Sequence, residues 1–464
     1  MTNPALDSRD PPPYGWAALV SAVVFLIYVA TLAPTTAFWD TSEYIAAAKV
    51  LGIPHPPGNP LFTLLAHSFG VLPLSSSYAV RINLFAAVTS ALSAGLWFLV
   101  ADRWMRSVVP IRWARLAASA AGVLVSATSW TVWNQSTVNE KVYTVSMLST
   151  SLVMWLGVHW ADDAPGSHRD RWVILIAYVI ALSSTNHMMG VLAAPAVGIY
   201  ILWTDWRVIT RPSVIVGVVI AAVVGVSLNY FFLPIRSAHY PPINEGEPIG
   251  FFSQALMDVL NRVQYGKPSV LVRQADILSQ FKNYWQYFSW QFARDWGFGA
   301  RLATAFFAVL GVVGAVALWM RDKRAALAST VLMGTLTVLL VFYLNFKYGF
   351  SIPTDPALGD VAREVRERDY FFVISFAAYG LWVAVGFGEV MRWIAEAVGE
   401  RAGGSPKWAL GTPVLALALV PLLGNHVTAT RANETMARDF AVDLLESVEP
   451  YSVLITAGDN DTFP

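Results

Sequence analysis

Along most of the chain, apolar residues continue for about 20 positions at a stretch, without the strict alternation of a half-buried strand, and polar interludes separate the runs. A run of that length crosses a hydrocarbon layer about 30 Å thick as a helix. The pattern predicts about eleven transmembrane helices, at residues 14–33, 80–100, 113–133, 142–160, 172–185, 187–203, 213–233, 301–320, 325–346, 370–390 and 408–424. The expectation is an all-α polytopic membrane protein. Its first run is too long for the apolar stretch of a signal peptide and follows one Arg against two Asp, so it reads as an uncleaved anchor behind a leader at 1–13.

Polar positions between the runs add a direction. Lys and Arg collect in 101–115, 161–172, 204–212, 321–324 and 391–407, and short loops rich in Lys and Arg stay cytoplasmic. The long segments 34–79, 234–300, 347–369 and 425–464 then fall on the extracytoplasmic side. Trp39, Trp130, Trp133, Trp203 and Trp206 lie near run ends and read as an aromatic belt. In 425–464 the character changes. Met436, Phe440, Leu444, Leu445 and Val448 recur at helical spacing, and Ser452 to Thr456 reads as a strand ending in Gly458-Asp459-Asn460-Asp461. This looks like the start of a truncated extracytoplasmic α/β soluble domain, with 14–424 as the transmembrane domain.

Composition agrees with the membrane reading: 56% of residues are hydrophobic and 13% charged. With 31 basic against 31 acidic residues, bulk positive charge for nucleic acid is missing. No cysteine is present, which removes disulfides, thiolate metal sites and thiol nucleophiles. The histidines have no metal-ligand spacing, and neither a phosphate-binding loop of the Walker type nor a nucleophile elbow occurs. Neither cofactor nor metal is expected. Asp459-Asn460-Asp461 has a D-x-D form, yet three residues after a strand read first as a turn.

The candidate chemistry lies in the loops. Asp40 and Glu43 open a helix expected at 41–51, just beyond the first run, and a rigid Pro/Gly segment, His55-Pro56-Pro57-Gly58-Asn59-Pro60, follows. Two acids in a first helical turn can cap it and meet its positive dipole end. Carboxylates beside a membrane surface also suit a general base aimed at a bound substrate. The short polar turn from Asn134 to Tyr143 falls on the same side, where Glu140 and Lys141 either form a solvated turn or close the same cavity as Asp40. Asn186-His187 makes a third turn there, in which His187 reads first as a satisfied turn residue. Arg236, after the seventh run, and Arg262 are candidates for a lipid phosphate, since a guanidinium offers bidentate hydrogen bonds as well as charge. Arg363 to Tyr370 mixes acids and bases that largely pair among themselves.

Taken in order, these residues resemble the protein O-mannosyltransferase family of transmembrane protein 260, through its bacterial relatives, within the glycosyltransferase-C superfamily. The resemblance runs almost end to end: the Asp40/Glu43 loop with His55 to Gly58, Glu140 to Tyr143, Asn186-His187, Pro234 to Arg236, Pro242 to Asn244, Arg262 to Gly266, Arg366 to Tyr370, and Gly458 to Pro464. Lys141 intervenes where the family reads Glu-Val-Tyr. The resemblance implies a glycosyltransferase-C-like bundle in a bacterial inner membrane with its active site extracytoplasmic. It also implies inverting transfer of a hexose such as mannose from a polyprenyl phosphate to a hydroxyl of an exported protein. Asp40 is implied as catalytic with Glu43 beside it; the chemistry of a phosphate leaving group then asks for a base, read as Asp40, a phosphate grip, read as Arg236 with Arg262, and a cavity, read as lined by His55, Asn59, Glu140, Tyr143, His187, Asn244, Tyr265 and Arg368. Two alternatives stand beside it: a lipid-linked glycan flippase or polytopic transporter, and a catalytically silent scaffold of the same fold.

Overall fold

A computed structural model of the chain describes residues 10–139, 142–163, 167–245, 248–266, 269–354, 356–401 and 407–464. Within them the chain is helical, with two isolated parallel bridges, Ile53 to Asn244 and Tyr348 to Arg363, and no strand. The first half contains α1 (Tyr14–Ala30), α2 (Asp40–Val50), α3 (Pro60–Gly70), α4 (Tyr78–Met105), α5 (Arg112–Ala127), α6 (Trp130–Ser136), α7 (Tyr143–Asp162), α8 (Ser167–Ser184), α9 (Ala194–Asp205) and α10 (Pro212–Ala238). The second contains α11 (Gln254–Asn261), α12 (Ile277–Ser289), α13 (Phe298–Arg321), α14 (Lys323–Gly334), α15 (Leu340–Leu344) and α16 (Val373–Arg401).

Six helices of the described residues are long and apolar enough to cross a membrane, or seven if α5 and α6, bent by 73° at Thr128 and Ser129, count as one broken span. Every predicted run is helical, but α1 and the helical stretch Trp408–Gly424 are shorter than a full crossing, and α7 and α8 are less apolar than the others. The reason is visible in α7: its buried face carries Thr144, Ser146, Ser149, Thr150 and Ser151, so it packs inside the bundle and need not read as lipid-facing. The protein is a multi-pass membrane protein.

Burial separates centre from rim. Of the apolar windows, that of α16 is 89% buried and that of α4 78%, whereas that of α10 is 11% buried, leaving a rod of Val and Ile for lipid. Small residues let the central helices approach closely. An added Cβ on Gly314 or Gly386 would strike the backbone carbonyl of Trp382 or Leu310, so α13 and α16 meet backbone to backbone.

The two ends of the bundle differ. At the end carrying the basic loops, charges are matched in pairs: Arg115 Nε bonds Asp102 Oδ1 at 2.7 Å, Arg103 meets Asp162, Arg211 meets Asp170 and Asp205, and Arg392 meets Glu389. Arg115 and Asp102 are buried, and removing one partner of a buried pair strands the other. Asp102→Ala should therefore cost about 3 kcal/mol, the low end for such pairs, because Asp10 still reaches Arg115 at 3.2 Å. Thermal unfolding in detergent checks this; an unchanged midpoint would show that Asp10 alone suffices.

In the last segment the expected helix forms at Met436–Glu446, but the expected strand does not: 452–456 is extended and pairs with no other strand of the described residues. Its alternating apolar side chains, Val453 and Ile455, are instead exposed. The D-x-D triplet is helical, within Asp459–Thr462.

Candidate active site

The opposite end holds a cavity of about 900 Å³ whose walls come from segments far apart in sequence. α2 supplies the acids. Its run of Ala46, Ala47 and Ala48 favours helix, Asp40 and Glu43 occupy the positive end, and Lys49 the negative end. Tyr44, Ile45 and Ala48 join Phe62, Ala66, Ile82, Phe85, Val142 and Val145 in one apolar cluster, which seats α2 and α3 on α4 and α7. Asp40 and Glu43 are thereby buried, 6% and 1% exposed. Neither carries the expected role of helix cap alone: both Glu43 oxygens are engaged by His55, Oε1 with its backbone N–H at 2.5 Å and Oε2 with Nδ1 at 2.6 Å. His55 Nε2 lies 4.0 Å from Asp40 Oδ2.

The loop bearing His55 is clamped from outside. Gly52 passes so close to Ile243 that a Cβ would fall 2.6 Å from its carbonyl oxygen. Ile53 N–H donates to Ile243 O at 2.8 Å and Glu245 N–H to Ile53 O at 2.9 Å, while Gly58 N–H closes a turn onto His55 O at 3.0 Å. From the loop a polar chain leads inward: Tyr44 donates to Asn59 Oδ1 at 2.9 Å, Asn59 donates to the Asn186 carbonyl, and Asn186 donates to Val142 O and Ser146 Oγ, each at 2.9 Å. Tyr143 stacks on Tyr370 and meets His187 edge-on. His187 is both turn residue and wall: Nδ1 accepts Met189 N–H at 3.2 Å while the ring lines the cavity.

The cations come from the far wall. Arg262 ends α11 in a left-handed conformation (φ 55°), and the described residues offer it no ion pair. Arg366 is held between aromatic faces, its guanidinium carbon 4.3 Å from the Trp39 ring centre and 4.9 Å from that of Tyr370. Arg368 pairs with Glu364 at 2.9 Å and donates to Tyr370 Oη at 2.8 Å. Its pKa is lowered by burial, but the Tyr370 and Glu364 oxygens more than reverse that, leaving it raised. Burial pushes Tyr44 well above the ordinary tyrosine range, helped by Glu43 and Asp40 and opposed by Arg262. Partial burial and then Glu43 raise Glu245, with His55 pulling the other way. Asp459 and Phe463 close one side, where Trp39 N–H donates to Asn460 Oδ1 at 2.6 Å.

Of the expected site residues, Asp40, Glu43, His55, Asn59, Tyr143, His187, Arg262, Tyr265 and Arg368 share this cavity. Two expected members do not line it. Arg236 lies in the last turn of α10, which continues through Pro234, and donates to the carbonyls of Leu51 (2.7 Å) and Val50 (3.2 Å). Those carbonyls are the unsatisfied, negative end of α2, an alternative partner for a guanidinium. Asn244 sits behind the wall at the bridge to Ile53. Glu140, with Lys141, lies outside the described residues. Missed as cavity members were Arg366, hidden in a run of balancing charges, Glu245, Gln274 and Asn345, which carry no motif of their own, and Phe463 with Asp459, whose D-x-D triplet read first as a turn.

The comparisons bear on fold and kinship. Residues 40–210 match the sequence model of the protein O-mannosyl-transferase TMEM260 N-terminal domain. The mouse protein O-mannosyl-transferase TMEM260 is 28% identical over 225 residues, 47% of this chain and 30% of its own length. Over these residues the chain is similar to the TMEM260 protein O-mannosyl-transferases. The match thus spans under a third of the mouse TMEM260 protein. Among solved structures, ArnT from Cupriavidus metallidurans superposes with a TM-score of 0.57 at 14% identity, over 96% of this chain and 83% of that one. The same protein bound to undecaprenyl phosphate gives 0.55, covering 97% and 84%. The fold is therefore glycosyltransferase-C-like. The TMEM260 match opens on Asp40 and takes in Glu43, His55, Asn59, Tyr143 and His187, whereas Arg262, Arg366, Arg368 and Asp459 lie beyond it.

Proposed function

We propose that the chain is a membrane-embedded, inverting glycosyltransferase that moves a hexose such as mannose from a polyprenyl phosphate to a hydroxyl of an exported protein. The observation that carries this reading is one cavity with buried acids on one wall, Asp40 and Glu43, and guanidinium groups on the other, Arg262 and Arg366. Kinship to protein O-mannosyl-transferases and a fold shared with a protein captured on undecaprenyl phosphate point the same way.

A sugar phosphate on a lipid needs neither ATP nor a nucleotide fold, because the phosphate is itself the leaving group. The protein must take a proton from the acceptor hydroxyl and hold the charge developing on the phosphate. Asp40 is the base. Its oxygen receives the hydroxyl proton while the acceptor oxygen bonds to the anomeric carbon and the carbon–phosphate oxygen bond breaks, inverting that centre. Arg262, already expected in that role, and Arg366, in the place expected of Arg236, meet the departing phosphate. The Val270, Leu344 and Phe346 wall faces the lipid-linked donor, and the side bearing Trp39, Asp459 and Phe463 faces the acceptor. In the membrane, we place the N-terminus in the cytoplasm and the cavity outside, in accord with basic residues at the other end. The site belongs to a bacterial inner membrane in this reading.

A flippase would draw on polar groups strung along the spans, whereas the charged groups here gather in loop segments at one end. The test is transfer of labelled sugar from a synthetic polyprenyl-phosphate hexose to protein by purified membranes containing the chain. Label in protein is the expected result; movement of the donor across liposomes without a glycosidic bond would overturn the reading.

A further inference from the structure

We propose that His55 is the proton outlet of Asp40: once Asp40 has taken the acceptor's proton, His55 passes it to the open cavity and resets the base. The inference rests on the transferase reading and adds a step to it. Glu43 holds His55 at two points, its backbone N–H and Nδ1, so the ring cannot turn freely. A buried carboxylate 2.6 Å from Nδ1 fixes the hydrogen there and leaves the lone pair of neutral imidazole on Nε2. Nε2 is the atom directed at Asp40, 4.0 Å from Oδ2, a gap that a small rotation of the carboxyl closes. Exposure completes the path: the side chain of Asp40 is 8% exposed and that of His55 26%, so the ring spans from the buried acid to the open space.

The step balances. The proton that bonded the acceptor oxygen moves from Asp40 Oδ2 to Nε2, Asp40 regains its charge, and the imidazolium is offset by Glu43 until it releases the proton to solvent. No oxidant or co-reactant is involved. The titratable and charged groups facing His55 are Asp40, Glu43 and Tyr44 on α2, with Glu245, Tyr265, Arg262 and Asp459 from the segments packed around it. Four of these are acids, which favours a transient imidazolium.

His55→Asn tests the outlet, because its side-chain amide can still donate to Glu43 but offers no basic nitrogen to Asp40; His55→Gln is the second variant, placing its amide nearer Asp40. In either, the first turnover should proceed near the wild-type rate and later ones slow by about 10²-fold, giving a burst of one sugar per enzyme. Imidazole added to the medium should restore the later turnovers, a recovery that a merely structural role would not permit. Unchanged steady-state rates, or a first turnover slowed equally with no rescue by imidazole, would overturn the outlet. If the wild-type chain transfers no sugar, the transferase reading fails instead.

Discussion

Asp40→Asn should leave the chain folded and inserted yet cut sugar transfer by about 10³-fold, within the range lost when a general base is removed. The substitution keeps size and shape, and the position is buried in the first turn of α2. Losing one acid at a helix N-terminus costs about 0.3–1 kcal/mol, too little to unfold a bundle of this size. What disappears, besides the charge, is an oxygen basic enough to take a proton. The measurement is labelled-sugar transfer by purified variant and wild type at matched concentration, with gel filtration in detergent as the check on folding. Full activity would move the base to another group, Glu43 first. Glu43→Gln is distinguishable, because Glu43 binds His55 at two points and its loss would loosen the whole 52–59 loop, showing in stability as well as rate.

How much of this could be read along the chain depends on the distance over which each contact acts. The helical rods follow from runs of apolar residues, a local property, and each run is helical, though only six or seven of the described helices are long and apolar enough to cross a membrane. Asp40 and Glu43 are legible because acids beside a span end are costly unless used, and His55 because a Pro/Gly loop follows them at short range. Arg236 misled because an arginine after a span looks the same whether it meets a phosphate or a helix end. Only the fold brings the carbonyls of Val50 and Leu51 to it, across 186 and 185 residues. Arg366 was concealed for the opposite reason: its neighbours balance it in sequence, yet Trp39 and Tyr370 hold it in the cavity. The strand expected at 452–456 rested on alternation alone, and alternation predicts a strand only where a partner edge exists.

The second large effect is expected at Arg262. Its place at the end of α11 is set by backbone, a left-handed residue that stops a short helix, and its charge reaches Tyr44 and Tyr265, lowering both against the push of burial. It is thus within electrostatic range of the acids on α2, across the cavity they share. Arg262→Ala should reduce kcat/KM for a polyprenyl-phosphate sugar by about 10²–10³-fold, the loss typical of one preorganised group facing transition-state charge. The loss should fall on kcat as well as KM, because the phosphate gains charge as it leaves. Arg262→Lys should recover only part, since an ammonium supplies the charge without the planar fork that grips two oxygens. Arg236→Ala makes the contrast: it removes a cap from α2 and should lower the unfolding midpoint while leaving KM for the donor near wild type. If Arg236→Ala raised that KM and Arg262→Ala did not, the phosphate would sit on the other side of α2, and the far wall of the cavity would belong to the acceptor.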